Sequence, residues 1–161
     1  MANADLLEIL RTVKDPEIPV LDVVELGVVR DVREESGKVV VEITPTYSGC
    51  PALQMMEDEI IAALKAGGFP DVEVRKVYSP AWTTDWMSAE SKAKLKAYGV
   101  APPHVREAEP LIVLERARHT VACPYCGSSN TEEKSEFGST ACKSINFCNS
   151  CHQPFDSFKS I

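Results

Sequence analysis

Histidine is scarce in this chain: three among 161 residues, at His104, His119 and His152. None falls within residues 1–103, so a cysteine nucleophile there would lack the imidazole base it usually needs. Basic residues are also in deficit, with 17 Lys and Arg against 24 Asp and Glu and a net charge of −7. Phosphate backbones are bound through a basic excess, so no nucleic-acid partner is expected. Long apolar runs are missing too. The stretch MANADLLEILR carries Asp5, Glu8 and Arg11, which excludes a signal peptide, and no uncharged run approaches membrane-spanning length. The expectation is a cytoplasmic chain without a membrane partner. In that reducing compartment cysteines serve as ligands or nucleophiles rather than as disulfides.

The six cysteines are unevenly placed, five of them between Cys123 and Cys151. That asymmetry points to two units: residues 1–103, a connection over 104–118, and a small metal-stapled unit over 119–161. In the first, Leu6, Leu7, Ile9, Leu10 and Val13 recur at helical spacing, and Asp15-Pro16 stops the helix. Val28 to Arg33 and Lys38 to Thr44 read as strands joined by a Glu-Ser-Gly turn. A second helix runs from about Pro51 to Ala66 with Leu53, Met56, Ile60 and Leu64 on one face, and Gly67-Gly68 ends it. Asp71 to Tyr78 is a third strand, and Ser88 to Tyr98 a third helix. Leu111 to Leu114 reads as a strand of the connection or second unit. The fold class is therefore α+β, a small α-β-β-α-β-α sandwich followed by a ribbon.

Cys123-Pro-Tyr-Cys126-Gly and Cys148-Asn-Ser-Cys151 are two CxxC knuckles separated by 21 residues. Each presents two thiolates on a tight turn whose amides can point back at sulfur. Together they predict a closed tetrahedral S4 site suited to structural Zn(II). Iron is the competitor, disfavoured because the second knuckle lacks the Pro and Gly of a rubredoxin pair. About 40 residues need such a staple to fold. His152 reads as a neighbour of the site and not a ligand. Cys142, in SEFGSTACKS, reads as inert packing or as an auxiliary thiol able to exchange with a ligand.

The remaining cysteine, Cys50, stands in TPTYSGCP. Pro51 favours a first helical position, which brings Cys50 to a helix N-terminus, where the dipole lowers a thiol pKa. Gly49 leaves it uncrowded, and Thr46, Tyr47 and Ser48 can surround it with hydroxyls. An accessible thiolate with acidic neighbours suits iron or a cluster better than nucleophilic catalysis. Asp15 and Glu17 of DPEIP are the candidate neighbours; alternatively Asp15 caps a turn and Glu17 is solvated.

DPEIPVLDVVELGVVRDV together with TPTYSGCP resembles the SufT-like family of iron–sulfur cluster maturation factors. PAWTTDWMS, YGVAPP, CPYCGS, SEFGSTACKS and CNSCHQPFDSFK extend the resemblance to the phenylacetate-degradation protein D (PaaD) family, accessory components of the phenylacetyl-CoA epoxidase system. It covers Asp15 to Lys159. The resemblance implies that Cys50 is the functional thiol, that Asp15 and Glu17 form the acidic motif, and that the four knuckle cysteines hold metal. It also implies a role beside a di-iron oxygenase and its flavin/iron–sulfur reductase, in assembling, delivering or repairing an iron or iron–sulfur centre. The chain is then not a catalyst by itself. One cysteine cannot hold a cluster that takes about four ligands, so a homodimer or shared thiols are expected. The alternative is a non-catalytic subunit that docks on the oxygenase or reductase through the Trp82/Trp86 loop and the ribbon, although the two tryptophans read equally well as core packing.

Overall fold

A computed structural model describes residues 3–47, 49, 52–103 and 120–160; the expected strand over Leu111–Leu114 lies outside them. Contacts divide the chain into two units, Met1–Ser91 and Lys92–Ile161.

In the first unit, helix α1 (Asn3–Leu10) leads through a long acidic loop to β1 (Val29–Glu35) and β2 (Lys38–Ile43). Helix α2 (Ala52–Ala66) and strand β3 (Val72–Lys76) follow, and α3 (Ala89–Tyr98) runs across the division at Ser91 into the second unit. The helix α1 is shorter at its C-terminus than the apolar spacing predicts. Val13 is buried, but it sits in a turn, with its N–H on Leu10 O and the Thr12 hydroxyl donating to Ile9 O.

β1 and β2 form an antiparallel hairpin, turned by Ser36 and Gly37 with positive φ, as the Glu-Ser-Gly signal predicts. β2 and β3 are parallel, so the connection between them must cross over, and α2 does so. The order is β1-β2-β3, with β2 central. That position explains its composition: Val39, Val40, Val41 and Ile43 are all buried. Helix α1 packs on α2 and β1, and α2 packs on β3.

The end of α2 is fixed by its glycines. Gly68 has φ +96, its N–H bonds Lys65 O, and the Phe69 N–H bonds Leu64 O. This is a Schellman cap, in which the left-handed residue is best a glycine. Gly67 is needed for a different reason: a Cβ there would lie 2.6 Å from Ile9 Cδ1 of α1.

The sheet's outer face is a charge lattice. Arg33 reaches Asp31, Glu35 and Glu42, while Lys38 and Arg75 both reach Glu73. Val40, paired with Arg33 on one side and Glu73 on the other, is fully buried on this face. Hydrogen bonds from Arg75 and then Lys38 hold the Glu73 carboxyl down at about 2, against a usual 4.5. A depressed folded value adds stability above the unfolded carboxyl range, which disappears as pH falls toward the folded value. Glu73→Gln therefore flattens the acid limb of the stability curve between pH 4.5 and about 2. Denaturant unfolding across that window checks this; an identical acid limb in the variant contradicts it.

The aromatic loop closes on the sheet's first strand. Trp82 is buried and its Nε1–H donates to Leu26 O at 3.0 Å. The Arg30 guanidinium lies 3.5 Å from the centre of the Trp86 ring. Trp82 is thus a core residue and offers no contact surface.

In the second unit, β4 (Val100–Ala101), β5 (Thr131–Ser135), β6 (Lys143–Cys148) and β7 (Pro154–Phe158) make a sheet in the order β4-β7-β6-β5. β4 pairs in parallel with β7 and the remaining pairs are antiparallel. Val100 and Ala101, inside the 1–103 span expected for the first unit, therefore belong to the ribbon's sheet. Two residues carry no readable alternation, and their partner lies more than fifty positions away.

Candidate metal centre

The strand ends of the second unit bring Cys123, Cys126, Cys148 and Cys151 together, with all four sulfurs within 4.8 Å of one another. Cys123 Sγ lies 3.7 Å from Cys151 Sγ, and Cys126 Sγ 3.6 Å from Cys148 Sγ. A tetrahedron of sulfurs about 2.3 Å from a central ion has edges of roughly 3.8 Å. The donor set and spacing fit one tetrahedral metal ion.

The two knuckles are built alike. Cys123 N–H bonds Ser128 O and Cys148 N–H bonds Gln153 O, each five residues on. Gly127 N–H bonds Cys123 O and His152 N–H bonds Cys148 O, each four residues back. Gly127 has φ +74 and its counterpart His152 has φ +59. A glycine takes that conformation freely, while the histidine holds it under strain. The Ser128 and Ser150 hydroxyls meet at 2.8 Å and tie one knuckle to the other. The Cys151 and Ser150 amides point at the Cys148 sulfur. The Cys151 amide is the chief cause that brings the Cys148 thiol down to about 6, with burial opposing it. Burial is the chief cause that pushes the Cys151 thiol up to about 12.

The site is also the unit's core. Cys123 and Cys148 are fully buried and cluster with Ala101 and Phe155, with Val121 and Cys151 packed against them. Val100 of β4 and Phe158 of β7 are buried as well.

Cys142 is buried outside the group of four, its sulfur 3.1 Å from the Thr140 hydroxyl and its carbonyl accepting from Lys159 N–H. Cys142→Ser is expected to keep the full metal content of the wild type, measured by inductively coupled plasma mass spectrometry. Loss of metal would remove the four-cysteine assignment.

Cys50 lies outside the described residues, as do Ser48 and Pro51; the chain up to Tyr47 and from Ala52 onward is described. Thr44 and Thr46 are buried and Tyr47 is exposed. Thr44 N–H bonds Val28 O, Val28 and Val29 N–H bond Val23 O, and Val23 N–H bonds Val13 O. This lacing attaches the acidic loop to the end of the sheet where β2 finishes and the turn toward α2 begins. Within that loop Asp15 is buried, and its Oδ1 accepts from the Glu17 and Ile18 amides, both at 2.8 Å. Glu17 is exposed. Asp22 was not singled out by sequence, yet it is buried and caps Val24 and Glu25, with Glu25 returning a bond to the Asp22 N–H. Its D-x-x-E spacing is the signal that could have revealed this capping box.

Comparison with known proteins follows this division. The chain is 44% identical over 153 residues, 95% of its length and 90% of the relative's, to an Escherichia coli K12 protein provisionally named as a component of 1,2-phenylacetyl-CoA epoxidase. The PaaD zinc beta ribbon domain matches residues 107–159. The chain belongs to the PaaD family. Residues 3–77 match the iron–sulfur cluster assembly protein family. The chain is also 38% identical over 83 residues to the Fe-S protein maturation auxiliary factor SufT of Staphylococcus aureus USA300, covering 50% of the chain and 93% of the relative. Among solved structures, a Bacillus anthracis domain of unknown function, DUF59, superposes with a TM-score of 0.53 at 32% identity. It is matched over 58% of this chain and 90% of its own length. A conserved hypothetical protein of Thermotoga maritima gives 0.51 at 35% identity, over 59% of this chain and 94% of its own.

Proposed function

We propose that this chain is an accessory factor of a multicomponent phenylacetyl-CoA epoxidase that assembles, delivers or repairs an iron or iron–sulfur centre through Cys50. One observation carries the reading: a match spanning both units to a relative named as part of that epoxidase, with the first unit matching iron–sulfur assembly proteins. Asp15 and Glu17 are the helper carboxylates, attached at the sheet end from which the Cys50 turn departs. Because Asp15 already accepts two amides through one oxygen, its contribution is chiefly to shape the loop that presents Glu17. Cys123, Cys126, Cys148 and Cys151 hold Zn(II), which staples the ribbon and takes no part in transfer. The partners are the oxygenase and reductase components. A homodimer supplies the thiols that one chain lacks; a strict monomer by light scattering that still transfers cluster would contradict that part.

One observation favours the alternative, a non-catalytic docking component. The ribbon unit exposes Tyr98 and Tyr125, at 50% and 58%, beside Ile145 and Pro154 around a groove of about 550 Å³. Exposed tyrosines of this kind are frequent at protein interfaces. The two readings part on Cys50→Ser. Transfer requires lost epoxidase activity with the complex intact, whereas docking alone leaves both unchanged.

A further inference from the structure

Among the described residues, one buried side-chain oxygen has no hydrogen-bond partner: Thr44 Oγ1. Thr44 is 2% exposed, and its backbone is held by the N–H bond to Val28 O at 2.8 Å. A buried hydroxyl without a partner is destabilising, and buried polar groups otherwise find one. Valine has nearly the same shape without the oxygen, and β2 just before this position is rich in it, at Val39, Val40 and Val41. The hydroxyl is therefore kept at a position where an apolar residue would stabilise the fold. A stranded buried group of this kind points to a role in binding.

Its place in the chain says what that role is. Thr44 follows β2 directly and begins the turn toward α2, at the sheet end laced to the acidic loop. The exposed aromatic residues of this unit, Tyr47 and Tyr78, flank the same strand ends. We infer that the Thr44 hydroxyl is a hydrogen-bond donor reserved for an anionic sulfur, thiolate or sulfide, of the iron–sulfur species carried at this end of the sheet. The inference rests on the transfer reading above. In the unloaded chain the oxygen is sealed from solvent, so its acceptor arrives only when the segment from Thr44 to Tyr47 shifts. Thr44 then steadies the loaded state by bonding the cargo's negative charge.

The test uses full-length Thr44→Val and Thr44→Ser with two readouts. One is the thermal midpoint of the unloaded chain. The other is the iron and sulfide retained after anaerobic reconstitution with ferrous iron and sulfide, followed by desalting. Thr44→Val is expected to raise the midpoint by about 2–4 °C and to shorten the lifetime of the loaded state about tenfold. Thr44→Ser, which keeps the hydroxyl, retains iron like the wild type. A valine variant that is more stable and holds iron normally overturns the inference, because the hydroxyl is then only a packing defect. A valine variant with a lower midpoint overturns it too, since the hydroxyl then has a structural partner. If wild type and Cys50→Ser retain iron equally, the transfer reading fails and takes this inference with it. If only Cys50→Ser loses iron, the transfer reading stands and Thr44 alone is wrong.

Discussion

Cys148→Ser loses its metal and unfolds the ribbon unit, while the first unit keeps its structure. The serine hydroxyl does not ionise at neutral pH, so the closed four-thiolate site opens. Structural zinc sites of this kind contribute about 10–16 kcal/mol, against a total stability of about 5–15 kcal/mol for a whole domain. The loss falls on the ribbon's own core, because Cys123 and Cys148 are themselves half of the four-residue buried cluster at the site. The first unit has its own core, from Leu6 and Leu10 through Val41 and Ile43 to Met56, Ile60 and Leu64. Its solved relatives consist of little else, matched over 90% and 94% of their lengths. Metal analysis with limited proteolysis checks the expectation: no zinc, rapid cleavage after about residue 120, and a resistant N-terminal fragment. Full zinc and an unchanged digestion pattern would contradict it.

Cys50→Ser has the opposite signature, a folded and zinc-replete protein that does not transfer iron. The swap is nearly isosteric, and serine is favoured where a chain enters a helix. α2 begins at Ala52, two positions after Cys50 in the sequence, and a thiol at a helix N-terminus is expected to ionise readily. An alcohol at neutral pH is a poor iron ligand. Alkylation of the wild type should therefore label Cys50 faster than the buried Cys142, and mass mapping of the modified peptides measures this directly. Cys142 labelled first would contradict an accessible thiolate at position 50. Unchanged zinc and thermal midpoint in Cys50→Ser separate this effect from the collapse expected of Cys148→Ser.

The parts of this fold legible in the sequence are those fixed by local chemistry. The Glu-Ser-Gly turn needs positive φ at adjacent residues. The Gly67-Gly68 pair ends a helix by a bonding pattern within six residues. The CxxC spacing fixes two sulfurs on one knuckle wherever it occurs. What was not legible depends on distant partners. Val100–Ala101 becomes a strand only through β7, and Trp82, readable both as core and as contact surface, is fixed as core by Leu26 O receiving its indole N–H. Thr44 looks like any strand-end threonine until burial leaves its hydroxyl alone. Asp15 shows the limit within one residue. Its type and its loop were readable as both cap and ligand, and the structure shows an oxygen accepting two amides. The His152 backbone strain was equally hidden, since it arises from the second knuckle repeating the turn that Gly127 makes in the first.

Transfer of labelled iron tests the central claim most directly. The full-length chain, loaded anaerobically with ⁵⁷Fe and sulfide, is mixed with the metal-free oxygenase and reductase, and the label on each partner is measured after separation. Wild type is expected to move ⁵⁷Fe to one of the partners and to restore epoxidase activity, while Cys50→Ser at equal concentration moves none. Equal label and equal activity with the two proteins would contradict the account and leave a docking component in its place.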